Sequence, residues 1–141
     1  MTTDNAQSQA SQALAAGFLA AFYGPDMHGA IIEYAADNIE WTIPASLGGA
    51  RRTWNGVEAV SGFAAKIAQL FEPGSMEIRI VSCLAVGEDV ALEAAVSGRT
   101  VAGVSYGNEY AFFINCHCGR IAAVTEYTDS ARVVAALGLG G

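Results

Sequence analysis

Two carboxylates stand inside otherwise apolar runs: Glu93 in Val90-Ala-Leu-Glu-Ala-Ala-Val96 and Glu126 in Ile121-Ala-Ala-Val-Thr-Glu-Tyr127. Turned toward a concave, water-poor interior, either would have its pKa raised by burial and become an acid or base usable near neutral pH. Turned outward, each is a solvated strand residue, and charged residues of half-buried strands more often face water. Spacing alone leaves both orientations open. Cys116-His-Cys118 gathers three metal-ligating residue types. In an extended strand end, however, Cys116 and Cys118 share a face while His117 points away, and structural zinc wants four converging ligands. A hairpin end with two packed thiols and a surface histidine is expected, with no metal. His28 likewise lacks partners and is expected at the surface. No nucleophile elbow, phosphate loop, HExxH or CxxC pair is present, so the enzyme classes those motifs define are unsupported.

The elements that must position these groups can be read from periodicity. After about eight polar residues expected to fray, Ala13, Leu14, Gly17, Phe18, Ala21 and Phe22 recur at helical spacing until Gly24-Pro25. Asp26 can cap a second, short helix to about Ala35, burying Met27, Ala30, Ile31 and Tyr34. Ile39 to Pro44 alternates as a strand, Ala45 to Asn55 reads as a glycine-rich loop, and Gly56 opens a third helix carrying Val57, Val60, Phe63, Ala64, Ile67, Leu70 and Phe71. From Met76 onward the period becomes two: a strand to Val86, a turn at Gly87-Glu-Asp89, then Val90 to Ser97, Val104 to Cys116 and Ile121 to Thr128. Asp129 or Ser130 caps a last helix ending at Leu137-Gly138. This order predicts an α+β domain over residues 9–138, preceded by a disordered stretch over 1–8. Its curved antiparallel sheet would carry helices on one side.

The third long strand is apolar on both faces, with Tyr106, Tyr110, Phe112 and Ile114 on one and Ala111 and Phe113 on the other. One face can cover the helices, and a copy of the chain is the natural cover for the second, which predicts a homodimer through the sheet unless the sheet curls enough to hide both faces.

Composition narrows the function. The chain has 141 residues, 52% hydrophobic and 15% charged, so it can bury a core without metals or disulfides. Seven basic against 14 acidic residues give a net charge of -7, leaving no basic patch for nucleic acid or an anionic membrane. The longest apolar runs fall short of the ~18 to 20 residues of a spanning helix. No basic stretch precedes the first apolar run, and three cysteines at no framework spacing fit free thiols, so a cytoplasmic protein is expected.

Tyr106-Gly-Asn-Glu-Tyr-Ala-Phe-Phe-Ile-Asn115, Gly119-Arg-Ile121, Glu126-Tyr-Thr-Asp129 and the helix from Val133 to Gly138 resemble the C-terminal half of SnoaL-like proteins. These belong to the superfamily of nuclear transport factor two and ketosteroid isomerase. Ile39-Glu-Trp-Thr-Ile-Pro44 and Gly56-Val-Glu-Ala-Val60 are similar to the N-terminal half, so the resemblance spans nearly the whole chain. It implies a cone-shaped, cystatin-like α+β barrel with an apolar pocket between helices and concave sheet, usually dimerised through the sheet. The tail is most similar to phenazine-biosynthesis proteins, where a Glu acting as acid/base and a substrate-holding Tyr stand at the spacing of Glu126 and Tyr106. Limonene epoxide hydrolases place an essential Asp at the position of Glu126. Other motifs depart: the phenazine group's helical His and Ser fall at Phe63 and Ile67, and the hydrolase's Arg-x-Asp falls near Glu93 and Ala95. The base of ketosteroid isomerase falls near Ile43 and its oxyanion Tyr near Phe18.

Together these readings predict an apolar pocket of Phe18, Phe22, Trp41, Phe63, Ile67, Tyr106, Tyr110 and Phe112. Glu126, Tyr106 and Glu93 are the candidate catalytic groups, and no cofactor is expected. The chemistry is that of an isomerase, cyclase or epoxide hydrolase acting on a hydrophobic small molecule. A non-enzymatic binder of such a molecule needs the pocket without the acid, and a dimeric interaction module needs neither.

Overall fold

The computed structural model describes residues 2–138. Helix α1 (Thr2–Phe22) and helix α2 (Met27–Tyr34) are followed by strand β1 (Ala35–Ile43), a short 3-10 turn at Ala45–Leu47 and strand β2 (Arg52–Asn55). Helix α3 (Val57–Ala68) leads into β3 (Glu77–Val86), β4 (Asp89–Arg99), β5 (Ser105–His117) and β6 (Arg120–Thr128), and helix α4 (Ser130–Leu137) closes the described chain.

The six strands form one curved sheet in the order β2-β1-β6-β5-β4-β3. It is mixed rather than antiparallel, because β1 runs parallel to β6, with Trp41 beside Val124 and Thr42 beside Thr125. Periodicity shows that Ile39 to Ile43 is a strand but carries no signal for pairing direction. The sheet is also open, with β2 and β3 as its edges, so it is a half-barrel closed off by helices. Strand β2 itself corrects the expected loop: Arg52 to Asn55 form a hairpin with β1, and too few alternating residues are present to announce it.

Helix α1 starts earlier than expected. Residues 2–8 are helical, residue 1 lies outside the described residues, and Ser8 Oγ accepts a 2.9 Å bond from the Gly87 N–H in the β3–β4 turn. The face that α1 buries is Ser11, Ala15, Phe18, Leu19 and Phe22, whereas Ala13 is exposed. Phe18, Leu19 and Phe22 have no exposed surface, and burying each contributes about 1.5–3 kcal/mol. Asp26 caps α2 by accepting from the Gly29 N–H at 2.9 Å. Asp129 caps α4 through the Ala131 N–H at 3.1 Å.

Strand register fixes what faces the concave side. Leu92 stands opposite Phe112, and Phe112 opposite Glu126; Ala94 stands opposite Tyr110, and Tyr110 opposite Thr128. These residues alternate with Glu93, Ala111 and Tyr127, which share the outer face. The β5–β6 turn holds Cys118 at φ 51° and Gly119 at φ 72°, the left-handed pair of a two-residue hairpin. That turn rotates Cys118 onto the surface while Cys116 stays buried, so the two thiols do not pack together. His117 and His28 are both exposed, facing Glu88 and Ser61 respectively.

A buried carboxyl and its tyrosines

Glu126 is 5% exposed, the one buried carboxylate among the described residues. Its Oε1 accepts a 3.0 Å hydrogen bond from Trp41 Nε1. Trp41 is wholly buried, stacked on Phe22 with ring centres 4.8 Å apart, so its N–H needs an internal acceptor and Glu126 supplies one. Among the described residues no group bonds Oε2, and no fully buried side-chain polar atom lacks a partner. Oε2 therefore keeps access to the space beside it.

That space is a cavity of about 130 Å³. Its floor is Tyr106, Tyr110, Glu126 and Thr128 on β5 and β6, with Ile43 on β1. Phe63 and Ile67 of α3 form one wall, continued by Leu70, Phe71 and Met76; Tyr23, just past α1, forms another; Leu47 with Val133 and Leu137 of α4 completes the lining. Gly98 makes room for one wall, since a Cβ there would stand 3.1 Å from the Phe71 ring. Wider depressions exist, one of about 450 Å³ on the outer sheet face and another of about 420 Å³, and neither is lined by Glu126.

Burial pushes the Glu126 carboxyl up to about 7, while the Trp41 hydrogen bond favours its charged form and limits the rise. Burial, reinforced by the nearby Glu126 charge, holds the Tyr23 and Tyr110 hydroxyls well above the ordinary phenol range, so both stay protonated donors. No Lys or Arg lines the cavity among the described residues.

The tyrosine hydroxyls are ordered by Asn108, which shares their face of β5. Its Oδ1 accepts from the Glu109 N–H at 2.8 Å, and its Nδ2 donates to Asp129 O at 3.0 Å. Two backbone partners of opposite kind fix the amide orientation. The same Nδ2 donates to Tyr106 Oη at 2.9 Å, and Tyr106 Oη lies 2.7 Å from Tyr110 Oη. Tyr110 is also hydrogen-bonded to Thr128, whose hydroxyl donates to Glu109 O at 2.8 Å, so the phenol pair belongs to a chain of hydroxyls along the cavity floor.

The SnoaL-like domain family matches residues 15–124. The chain belongs to the SnoaL-like domain family. No curated protein matches it. Among solved structures, an NTF2-like protein from Burkholderia xenovorans is 22% identical, with 92% of this chain and 97% of that one covered at a TM-score of 0.70. A phenazine biosynthesis-related protein from Pseudomonas aeruginosa is 13% identical, with 99% and 92% covered at 0.79. The protein TerC, crystallised with polyporic acid, is 15% identical, with 92% and 98% covered at 0.76. At these identities the likeness is one of fold.

Within this SnoaL-like domain the sequence-predicted site residues divide into three groups. Glu126, Tyr106, Tyr110, Phe63 and Ile67 meet at the cavity. Phe18, Phe22, Trp41 and Phe112 have no exposed surface and lie behind it as core, so they support the walls without lining them. Glu93 is on the outer face, exposed and within 3.4 Å of Ser82 Oγ, because its neighbours Leu92 and Ala94 take the inward positions. Sequence reasoning missed Tyr23 and Asn108. Tyr23 lies past the helical repeat that ends at Phe22. Asn108 sits two residues from both Tyr106 and Tyr110, a polar position in an inward period-two series, which was the available signal.

Proposed function

We propose that this SnoaL-like domain is a small-molecule enzyme of the isomerase or cyclase type, with Glu126 as its acid/base. The observation that carries the reading is the Glu126 carboxyl: one oxygen is fixed by Trp41, the other opens into an apolar cavity, and its pKa is near 7. As a base, Oε2 takes a proton from a carbon next to a carbonyl. The electron pair moves onto the carbonyl oxygen, where the Tyr106–Tyr110 pair donates a hydrogen bond. As the acid, Glu126 returns the same proton to another carbon or to an oxygen, so the chemistry closes without a cofactor.

The walls favour a neutral hydrophobic substrate, since no cation is present to bind an anion. An apolar cavity of about 150 Å³ is known to hold benzene, so the present shape takes one ring. The fold shared with a phenazine biosynthesis-related protein and with a protein crystallised with polyporic acid supports ring-bearing metabolites as the class. With Glu93 on the other face, no second carboxyl among the described residues lines the cavity with Glu126, which removes support from the epoxide hydrolase alternative. Screening enones, epoxides and polyketide-like aromatics for turnover, then repeating any hit with Glu126→Gln, tests the proposal. Turnover in the parent that is lost in the Gln variant supports it, whereas ligand binding without turnover makes the protein a binder.

The outer face supports a homodimer. Leu84, Val86 and Phe113 are 72%, 83% and 53% exposed and border an apolar depression with Ala91 and Ala123. A second copy laid there would cover surface that water otherwise meets. Among the described residues no helix is long and apolar enough to cross a membrane. We propose a cytoplasmic location, which the three free cysteines support.

A further inference from the structure

Tyr23 is 5% exposed, and its ring is held edge-on by Phe22 at 5.1 Å and tilted against Phe112 at 6.3 Å. Its hydroxyl has no hydrogen-bond partner among the described residues. Since no fully buried polar side-chain atom among the described residues goes unpartnered, that hydroxyl retains access to the cavity that Tyr23 lines with Glu126. A nearly buried phenol without a partner is a poor choice for stability, and Phe would fill the same space without stranding an O–H. The other two cavity phenols differ, because Tyr106 and Tyr110 bond each other and Asn108 holds Tyr106.

We propose that Tyr23 is a ligand-binding residue whose hydroxyl donates to a neutral acceptor oxygen, a ring ketone or enone carbonyl, held in the cavity. The inference rests on this cavity being the ligand site and is independent of proton transfer by Glu126. Burial raises the Tyr23 hydroxyl above the ordinary phenol range, so it is a donor at neutral pH. Because the cavity walls carry no cation, a ring carboxylate of the same size gains nothing there that offsets its desolvation.

The test uses cyclohexanone and methylenecyclohexane, equal in shape, with an acceptor oxygen only in the first. Ligand-observed NMR gives the affinity of the full-length protein and of Tyr23→Phe for each. The ratio of cyclohexanone to methylenecyclohexane affinity is expected to fall about tenfold in the variant, the equivalent of one hydrogen bond. The melting temperature is expected to stay or rise, since no bond within the protein is lost. An unchanged ratio overturns the proposal, as does a parent that fails to bind cyclohexanone. A lower melting temperature with the ratio preserved shows a structural hydroxyl instead. None of these outcomes depends on turnover, so the acid/base reading stands or falls separately.

Discussion

Trp41 and Glu126 are 85 residues apart in the chain, yet the indole N–H reaches the carboxyl at 3.0 Å. The parallel pairing of β1 with β6 makes this possible by setting Trp41 beside Val124, two residues from Glu126 on the same face. Each residue meets a need of the other: the buried N–H finds an acceptor, and the buried carboxyl finds a donor that steadies its charged form.

Replacing Trp41 with Phe removes that donor. The Glu126 pKa is expected to rise further, moving the midpoint of any pH-rate profile upward. The lost hydrogen bond and the smaller ring are expected to lower stability by about 1–3 kcal/mol. Urea unfolding of the variant and the parent checks the second effect.

The raised carboxyl ties stability to pH. Glu126 titrates near 7 when folded against an unperturbed 4.5, so between those values the folded state holds a proton that the unfolded chain releases. Its contribution is complete below pH 4.5 and is lost as pH rises through 7, amounting to about 3 kcal/mol across the window. Unfolding curves from pH 4.5 to 8 should show this decline in the parent and a flatter profile in Glu126→Gln. Equal slopes in both proteins would remove the assignment.

Asn108 joins the tyrosine pair to the start of α4, through Tyr106 Oη at 2.9 Å and Asp129 O at 3.0 Å. Asn108→Ala removes the side-chain partner of the Glu109 N–H and of Asp129 O, leaves Tyr106 bonded to Tyr110 alone, and is expected to cost about 1–3 kcal/mol. Amide hydrogen exchange should quicken over α4 more than over α1.

Much of this arrangement was legible in the sequence. Alternation along Tyr106, Tyr110, Phe112 and Ile114 gives one face of β5, and the expected caps, Asp26 and one of Asp129 or Ser130, mark helix starts that the structure reproduces, with Asp129 as the second cap. Glu126 could not be oriented by periodicity, since Val124 and Glu126 share a face that reads as either side of the sheet. The resemblance to SnoaL-like proteins drew attention to Glu126, and the register supplied the orientation. The parallel β1–β6 pairing was illegible because strand direction leaves no local pattern, and with it went the Trp41 contact. The aromatic residues Phe18, Phe22 and Phe112 were expected to line the pocket because size and apolarity do not distinguish a lining side chain from a core one.

A dimer through the sheet would place Leu84 and Phe113 in its interface. Light scattering should return twice 14.6 kDa for the parent, and Phe113→Glu should return a monomer that keeps its helix content. A parent that stays monomeric at micromolar concentration would contradict the dimer.

The central claim is that Glu126 moves protons in the cavity. Deuterium uptake at C6, the saturated carbon beside the carbonyl of 2-cyclohexen-1-one, followed by NMR in heavy water, measures this without knowledge of the natural substrate. The parent is expected to accelerate exchange with a rate that rises as pH passes through about 7. Glu126→Gln, which keeps the acceptor for Trp41, is expected to slow it roughly a hundred- to ten-thousand-fold. Equal exchange in a folded Glu126→Gln protein would contradict the claim.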